Sequence, residues 1–404
     1  MTTPFTGKQI LFGVTGGIAA YKAADWIRSL RQDGAIVTVV MTEAATKFVT
    51  PLTFAALSGR PVECDIFDSA YPETIPHITL AKSCDLLVIA PATANTIARL
   101  AHGMADTLLG AIALATRAKV LIFPAMNSSM YLHPATEQNI ERLQKIGYTV
   151  IPPACGAMAC GDQGPGRLPD WLPAQAAIAA ALSPKDLTNQ HFLITAGPTQ
   201  EPLDPVRFLS NRSTGKMGYA LARAAKERGA VVTLVTGPTT IAPPIGVDII
   251  EVRTALEMRQ AVFEHFPSAT VIIKTAAVSD FRPTQTAPHK IKKGSAESTS
   301  LDLTANPDIL FELGQKKGAA TRPLLIGFAA ESDHHLQEGQ RKLAHKNLDL
   351  MAVNDIMGRD TGFARDTNQI TIIDKNGGQT PLPLLSKDET AHRLLDRVHQ
   401  LLAC

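Results

Sequence analysis

The chain has 404 residues, 45% of them apolar and 19% charged, the profile of a soluble globular protein with two or three domains. Its 39 basic and 37 acidic side chains leave a net charge of +2, which creates no field for nucleic acid or an anionic membrane. No apolar run nears the ~20 residues that span a bilayer, no secretory leader is read, and five cysteines are too few for a disulfide framework, so a cytoplasmic protein with reduced thiols is expected.

The first half alternates strand and helix. Short apolar runs rich in β-branched residues predict strands at 10–14, 36–41, 86–90 and 120–124. Helices are predicted at 18–32, 97–101, 107–115 and 134–146. This alternation implies a parallel sheet covered by helices on both faces, with ligands beyond the carboxyl ends of the strands. The turns at those ends are VTGG (14–17), APATAN (90–95) and PAMNSSM (124–130). The stretch 152–169 is too rich in Gly and Pro for helix or strand and reads as a mobile flap or a disordered segment. A helix at 173–182 and a polar stretch at 183–190 follow, which sets expected domains at 1–190 and 191–404. Strand signals resume at Phe192, Val231, Val271, Leu324 and Leu350, and 368–374 with Gly377-Gly378 predicts a β-hairpin. The opening of the first half recurs in the second: strand, Thr/Gly turn, amphipathic helix, Gly-Ala, strand, at 10–42 and again from Phe192 to Gly237. The expected fold is α/β, two Rossmann-like domains with mainly parallel sheets.

In the first domain, Thr15-Gly16-Gly17 follows a strand and opens a helix, a turn that suits either phosphate binding or tight packing. It is neither the G-x-G-x-x-G fingerprint nor a P-loop. On spacing alone His77 caps or packs its helix, and Asn127 forms an Asx-type turn. Cys155 and Cys160 fall short of four metal ligands. A thiol on a Gly-rich flap could instead deliver a proton, since its ordinary pKa of about 8.5 keeps it protonated at neutral pH.

The motifs GVTGGIAAYK, PHITLA, APATANTIA, GMADTLL, PAMNSSMY and ACGDQGPGR, in this order, resemble the flavin-dependent cysteine decarboxylases, and within them the phosphopantothenoylcysteine decarboxylases. The resemblance covers nearly all of 7–180 and implies a flavin-dependent cysteine decarboxylase type of domain. It places FMN against Thr15, Gly16, Gly17, Thr42, Thr93, Asn95, Ala125 and Met126. It gives His77 the oxidation and decarboxylation steps, Asn127 the substrate carboxylate, and Cys160 the protonation that completes the final reduction. Tyr131 stands where relatives often carry Trp, and keeps an aromatic there.

In the second domain the glycine-rich turn and the helix start at Ser213–Gly215 again suit phosphates, although STGK departs from a Walker motif. The run HKIKK (289–293) reads by itself as a solvated loop. Asp280 nearby makes a phosphate-and-metal role plausible, because Mg²⁺ takes one or two carboxylates plus phosphates. Lys342 and Lys346 share one helix face and read as surface lysines. In order, ITAGPTQEPLDPVRFLSNRSTGKMG, AAVSDFRP, KIKK, NPDIL, GFAAE and KNLDLMAVND resemble the CTP-dependent phosphopantothenate–cysteine ligases. That resemblance implies activation of 4′-phosphopantothenate as an acyl-cytidylate and attack by the cysteine amine. Asn211 is matched to conversion of the intermediate, Lys290 to the triphosphate, and Asp280 to the nucleotide and Mg²⁺. Lys274, Thr275, Ala276, Pro307, Asp308, Ile309, Leu310, Phe328, Lys342 and Lys346 are matched to the rest of the CTP site. His289 replaces a frequent Glu, and the last ~45 residues read as scaffold.

Together the halves resemble the coenzyme A biosynthesis bifunctional proteins. The resemblance implies a homo-oligomer built from trimeric decarboxylase and dimeric ligase contacts, up to a dodecamer. A flavin-binding regulatory protein that has lost one or both activities is the alternative.

Overall fold

The computed structural model describes residues 3–67, 75–159, 161–292, 300–331, 335–355 and 365–403. It divides into two compact units, Thr2–Ser183 and Pro184–Cys404. No helix among the described residues is long and apolar enough to cross a membrane.

The first unit is a six-stranded sheet in the order Val62–Glu63, Ile36–Met41, Gln9–Val14, Leu86–Ala92, Lys119–Pro124, Thr149–Val150. Every neighbouring pair is parallel. Strand Leu86–Ala92 is buried along its whole length, as a central strand covered on both faces must be. The helix Ala20–Gln32 buries Ala23, Trp26, Ile27 and Leu30 at helical spacing, and Trp26 meets Phe123 edge-to-face with centroids 5.0 Å apart. Two apolar clusters, one around Phe12, Trp26 and Phe123 and one around Leu87, Ile112 and Ile122, complete the core.

The second unit repeats this plan with eight strands: Asp248–Glu251, Val231–Thr236, His191–Ala196, Val271–Lys274, Leu324–Glu331, Leu350–Asp355, Ile370–Asp374, Gln379–Pro381. The first six run parallel and the last two antiparallel, the latter pair being the expected hairpin. In each unit strand order reverses beside the first strand, at Gln9–Val14 against Leu86–Ala92 and at His191–Ala196 against Val271–Lys274. That reversal opens a crevice at the carboxyl edge of the sheet.

One expectation is corrected. The segment 152–169 is not free of regular structure: Ala154–Ala157 pairs antiparallel with Gln163–Arg167. Gly156, Gly164 and Gly166 have φ of +153°, +149° and +150°, which only glycine adopts freely, so the composition that argued against a strand here builds one.

Apart from Ser183, the polar stretch 183–190 joins the second unit, so the boundary falls at 183/184 rather than at 190/191. Leu187 lies in its core, and Asp186 takes Arg228 Nε and Nη2 at 2.9 and 2.5 Å. Arg228, its side chain 3% exposed, also reaches Asp396 at 2.7 Å and so ties this stretch to the C-terminal helix Lys387–Leu402. Arg228→Ala strands two carboxylates and should remove about 3 kcal/mol from the second unit. Urea unfolding should show its transition at lower denaturant with the first unit's transition unmoved.

Candidate functional sites

The first crevice is organised by a buried hydroxyl. Thr15, fully buried at the end of its strand, donates to Pro91 O at 2.6 Å and accepts from Thr93 N at 3.1 Å. This joins the two turns where strand order reverses. Thr93 then caps the helix Ala94–Ala101, accepting from Thr96 N at 3.3 Å. Thr42 accepts from Ala45 N at 3.3 Å in the next turn. Helix Ala20–Gln32 has no side-chain cap; Ala20 N and Lys22 N donate back to Gly17 O and Ala19 O, each at 3.0 Å.

Above these turns lies a cavity of about 1070 Å³. Gly16, Gly17, Thr42, Thr93 and Asn95 line it on one side, and Ala125, Met126 and Asn127 on the other. Thr15 stands behind the wall as its support. The volume lies at the upper end of ligand pockets, roughly 300–1,000 Å³, enough for a flat ring system carrying a phosphate. The cations in the wall are paired: Lys22 and Arg167 with Asp170 at 3.0 and 3.5 Å, and Arg99 with Asp106; Glu43 adds a carboxylate to the wall.

The hairpin closes on this cavity. Met126 N donates to Gly166 O at 3.0 Å, and a Cβ on Gly166 would fall 2.2 Å from Met126 O, so glycine is required for the contact. Asn127 forms the expected turn, its Oδ1 accepting from Ser129 N at 2.8 Å. Its Nδ2 also donates to Asp162 on the hairpin at 2.7 Å, a contact that spacing did not suggest. Cys160 lies outside the described residues. His77 sits in the first turn of the helix Pro76–Ser83 and is not in the cavity wall. It provides no cap; its Nδ1 is buried without a hydrogen-bond partner among the described residues.

The second crevice has the same staple. Thr195, 1% exposed, accepts from Ala276 N at 3.2 Å, and its carbonyl accepts from Thr275 Oγ1 at 2.5 Å. The helix Lys216–Glu227 again lacks a side-chain cap. The cavity above it measures about 630 Å³. It brings together Asn211, the turn Lys274, Thr275 and Ala276, and Asp280. Pro307, Asp308, Ile309, Phe328, Lys342 and Lys346 complete its predicted wall. Leu310 is buried outside that wall, and Lys290 is exposed in a loop outside it. That loop is anchored: Asp204 Oδ2 accepts from Ile291 N at 3.1 Å. Burial opposes the Asp204 charge, but this bond and two further backbone donors, Val206 and Arg207, hold it down to about 2. Lys293 lies outside the described residues.

Electrostatics distinguish this cavity from the first. Asn211 Nδ2 donates to Val278 O at 3.0 Å, which orients its amide. Lys346 bonds Asp308 at 2.7 Å. Burial works against the Asp308 charge, yet the bonds from Lys346 and Phe311 N keep it below the usual carboxylate range. Desolvation pushes Lys274 down to about 8, opposed by the charge of Asp308 and helped by that of Lys346. Five lysines (Lys216, Lys274, Lys342, Lys346, Lys387) face two aspartates (Asp280, Asp308), so the cavity favours anions. The reading of the last ~45 residues as scaffold is corrected, because Asn368 and Lys387 also line this cavity. They carry no local motif, and only the tertiary fold brings them there.

Two doubly wound units with ligand crevices at their strand-order reversals define a two-domain α/β protein of the nucleotide- and flavin-binding class. A flavoprotein family matches residues 2–183, and the DNA/pantothenate metabolism flavoprotein C-terminal domain matches residues 187–402. The coenzyme A biosynthesis bifunctional protein of Vibrio cholerae is 46% identical over 98% of this chain and 98% of its own length. Those of Bacillus subtilis and Escherichia coli are each 45% identical, over 98% and 97% of this chain and 97% of their own lengths. The chain belongs to the family of coenzyme A biosynthesis bifunctional proteins.

Thr15→Val keeps the shape of the staple and removes its hydroxyl, leaving Thr93 N and Pro91 O short of a partner at a cost of about 1–3 kcal/mol. The variant should purify with less flavin per chain, read by visible absorbance. Unchanged flavin content would show that the staple does not shape the first cavity.

Proposed function

We propose that the first unit decarboxylates 4′-phospho-N-pantothenoylcysteine with FMN, and that the second makes this substrate from 4′-phosphopantothenate, cysteine and CTP. The reading is carried by one chain holding two cavities of different chemistry: a glycine- and threonine-lined cradle whose cations are paired, and a pocket with five lysines against two aspartates. Family membership supports it.

The residues of the first cavity fit FMN. Gly16 and Gly17 let a phosphate approach the backbone at the positive end of helix Ala20–Gln32, and Ala125 and Met126 offer a flat wall to its ring. Bound FMN would withdraw and return two electrons at the cysteinyl carbon, so that a C=S group serves as electron sink when CO₂ leaves. Asn127, held by Ser129 N, presents an amide to the departing carboxylate. His77 exchanges protons through an imidazole whose Nδ1 has no competing partner among the described residues. Cys160 supplies the last proton. In the second cavity Lys274, Lys342 and Lys346 receive CTP, Lys290 closes over the triphosphate from the anchored loop, and Asp280 holds Mg²⁺ together with the phosphates. Asn211 directs the acyl-cytidylate toward the cysteine amine. We place the protein in the cytoplasm, a reading supported by its few cysteines. Its assembly from trimeric and dimeric contacts is open to light scattering.

The purified protein should be yellow and should release pyrophosphate only when CTP, phosphopantothenate and cysteine are all present. Chelating Mg²⁺ should stop that release, and its absence in the complete mixture would sink the ligase assignment. Cys160→Ala should still release CO₂ but stall at the enethiol. Normal turnover would remove Cys160 from the proton-donor role.

The ligase should also lose affinity at high pH. Lys274 is depressed to about 8, so its cation is present below that value and disappears as pH rises through it. The KM for CTP should climb above about pH 8, and Lys274→Met should raise it at neutral pH. A KM independent of pH across this range would argue against a cationic role for Lys274.

A further inference from the structure

The wall of the second cavity contains a lysine that the ligase motifs do not. Lys387 opens the C-terminal helix Lys387–Leu402 and lines the cavity although the residue is only 7% exposed. A two-residue ladder delivers it: Thr367–Asn368 pairs antiparallel with Leu385–Ser386, with Asn368 opposite Leu385. Asn368 accepts from Lys387 Nζ on Oδ1 at 2.6 Å, and Nζ also donates to Thr367 O at 3.3 Å. The other end of the Asn368 amide donates to Met217 Sδ at 3.3 Å, on the helix that opens the cavity floor. Asn368 and Met217 line the same cavity, so the ammonium is fixed at its wall by a side chain that is itself held.

An ammonium withdrawn from water carries a desolvation cost that a Met or Leu filling the same space would not. Desolvation and the like charge of Lys216 push Lys387 down to about 8, while Asp366 pulls the other way. Asp366 is itself engaged by Lys216 at 2.5 Å. Elsewhere in the cavity Lys346 is neutralised by Asp308. An incoming anion beside Lys387 would offset its desolvation, and two of the three expected substrates of this cavity, CTP and phosphopantothenate, carry phosphate.

We propose that Lys387 is a substrate-binding residue of the ligase cavity, positioned by Asn368 to receive a phosphate group. This rests on the ligase reading of that cavity. The phosphate belongs to the nucleotide or to the phosphorylated acid, and kinetics separates the two.

The test is steady-state pyrophosphate release by the full chain, with CTP, phosphopantothenate and cysteine varied in turn. Lys387→Met keeps the apolar stem and removes the charge. It should raise the KM of one anionic substrate by about tenfold or more, the effect of losing a charge-assisted hydrogen bond, and leave the KM of cysteine unchanged. Lys387→Arg should recover most of the loss. A rise confined to CTP assigns the nucleotide phosphate, and one confined to phosphopantothenate assigns the ester phosphate. Unchanged KM values overturn the proposal, as does a parallel rise for all three substrates, or equal failure of the Met and Arg variants. Asn368→Ala leaves the lysine in place but unheld and should raise the same KM. Should Lys387→Met not fold, unchanged KM values in Asn368→Ala overturn the proposal. A wild-type chain that releases no CTP-dependent pyrophosphate fails the ligase reading instead, which is a distinct result.

Discussion

Each unit depends on one buried threonine hydroxyl. A doubly wound sheet necessarily leaves a gap where strand order reverses, because the connections on either side leave in opposite directions. Thr15 and Thr195 bridge that gap from the first strand to the turn after its neighbour, at Thr93 in one unit and Ala276 in the other. The threonines are buried and the turns they hold line the cavities, so losing a bond would loosen the wall that a ligand meets. A crevice held in this way confronts an incoming ligand with preset turns. In both units the helix that follows has no side-chain cap.

From this shared frame the units diverge through the residues beyond the staple. In the first, cations at the cavity wall are matched to aspartates outside it, so the wall carries little net charge and a flat ring can lie against glycine, threonine and alanine. In the second, lysines outnumber aspartates in the wall, and the imbalance is sustained at the expense of Lys274 and Lys387, both depressed to about 8. Those depressed values mean that the folded chain holds charge where it is disfavoured. A bound polyanion reverses that preference, which couples the affinity of the second site to the desolvation of its lysines.

Most of this was legible in the sequence wherever a local pattern carried the information. Apolar runs marked the central strands, since strands covered on both faces leave no polar alternation to misread. The doubled Thr/Gly opening marked both staples. The turn at Asn127 followed from its residue type. What escaped was whatever depends on contacts distant in sequence or on backbone angles. The hairpin 154–167 was missed because Gly156, Gly164 and Gly166 look like breakers until their positive φ values are known. Helix 94–101 began three residues earlier than its apolar pattern, because Thr93 caps it. Asn368 and Lys387 were missed because a ladder of two residue pairs, invisible to any periodicity, carries them to a cavity built from 211–346. His77 and Lys290 were named by resemblance, yet among the described residues neither lines either of the two cavities.

His77, whose Nδ1 has no hydrogen-bond partner among the described residues, shows what such a gap implies. A buried ring nitrogen without a partner costs free energy, and native structures rarely retain one without a compensating role. The helix carrying it starts at Pro76 with no side-chain cap, so the imidazole is not being spent on ending the helix. Lys290 presents the complementary case, an exposed cation next to Ile291, whose N–H is held by Asp204. Lys274 and Lys387 are withdrawn from water in the wall and disfavoured as cations there, at a cost that a bound anion would offset, whereas Lys290 stays solvated and carries no such cost in advance.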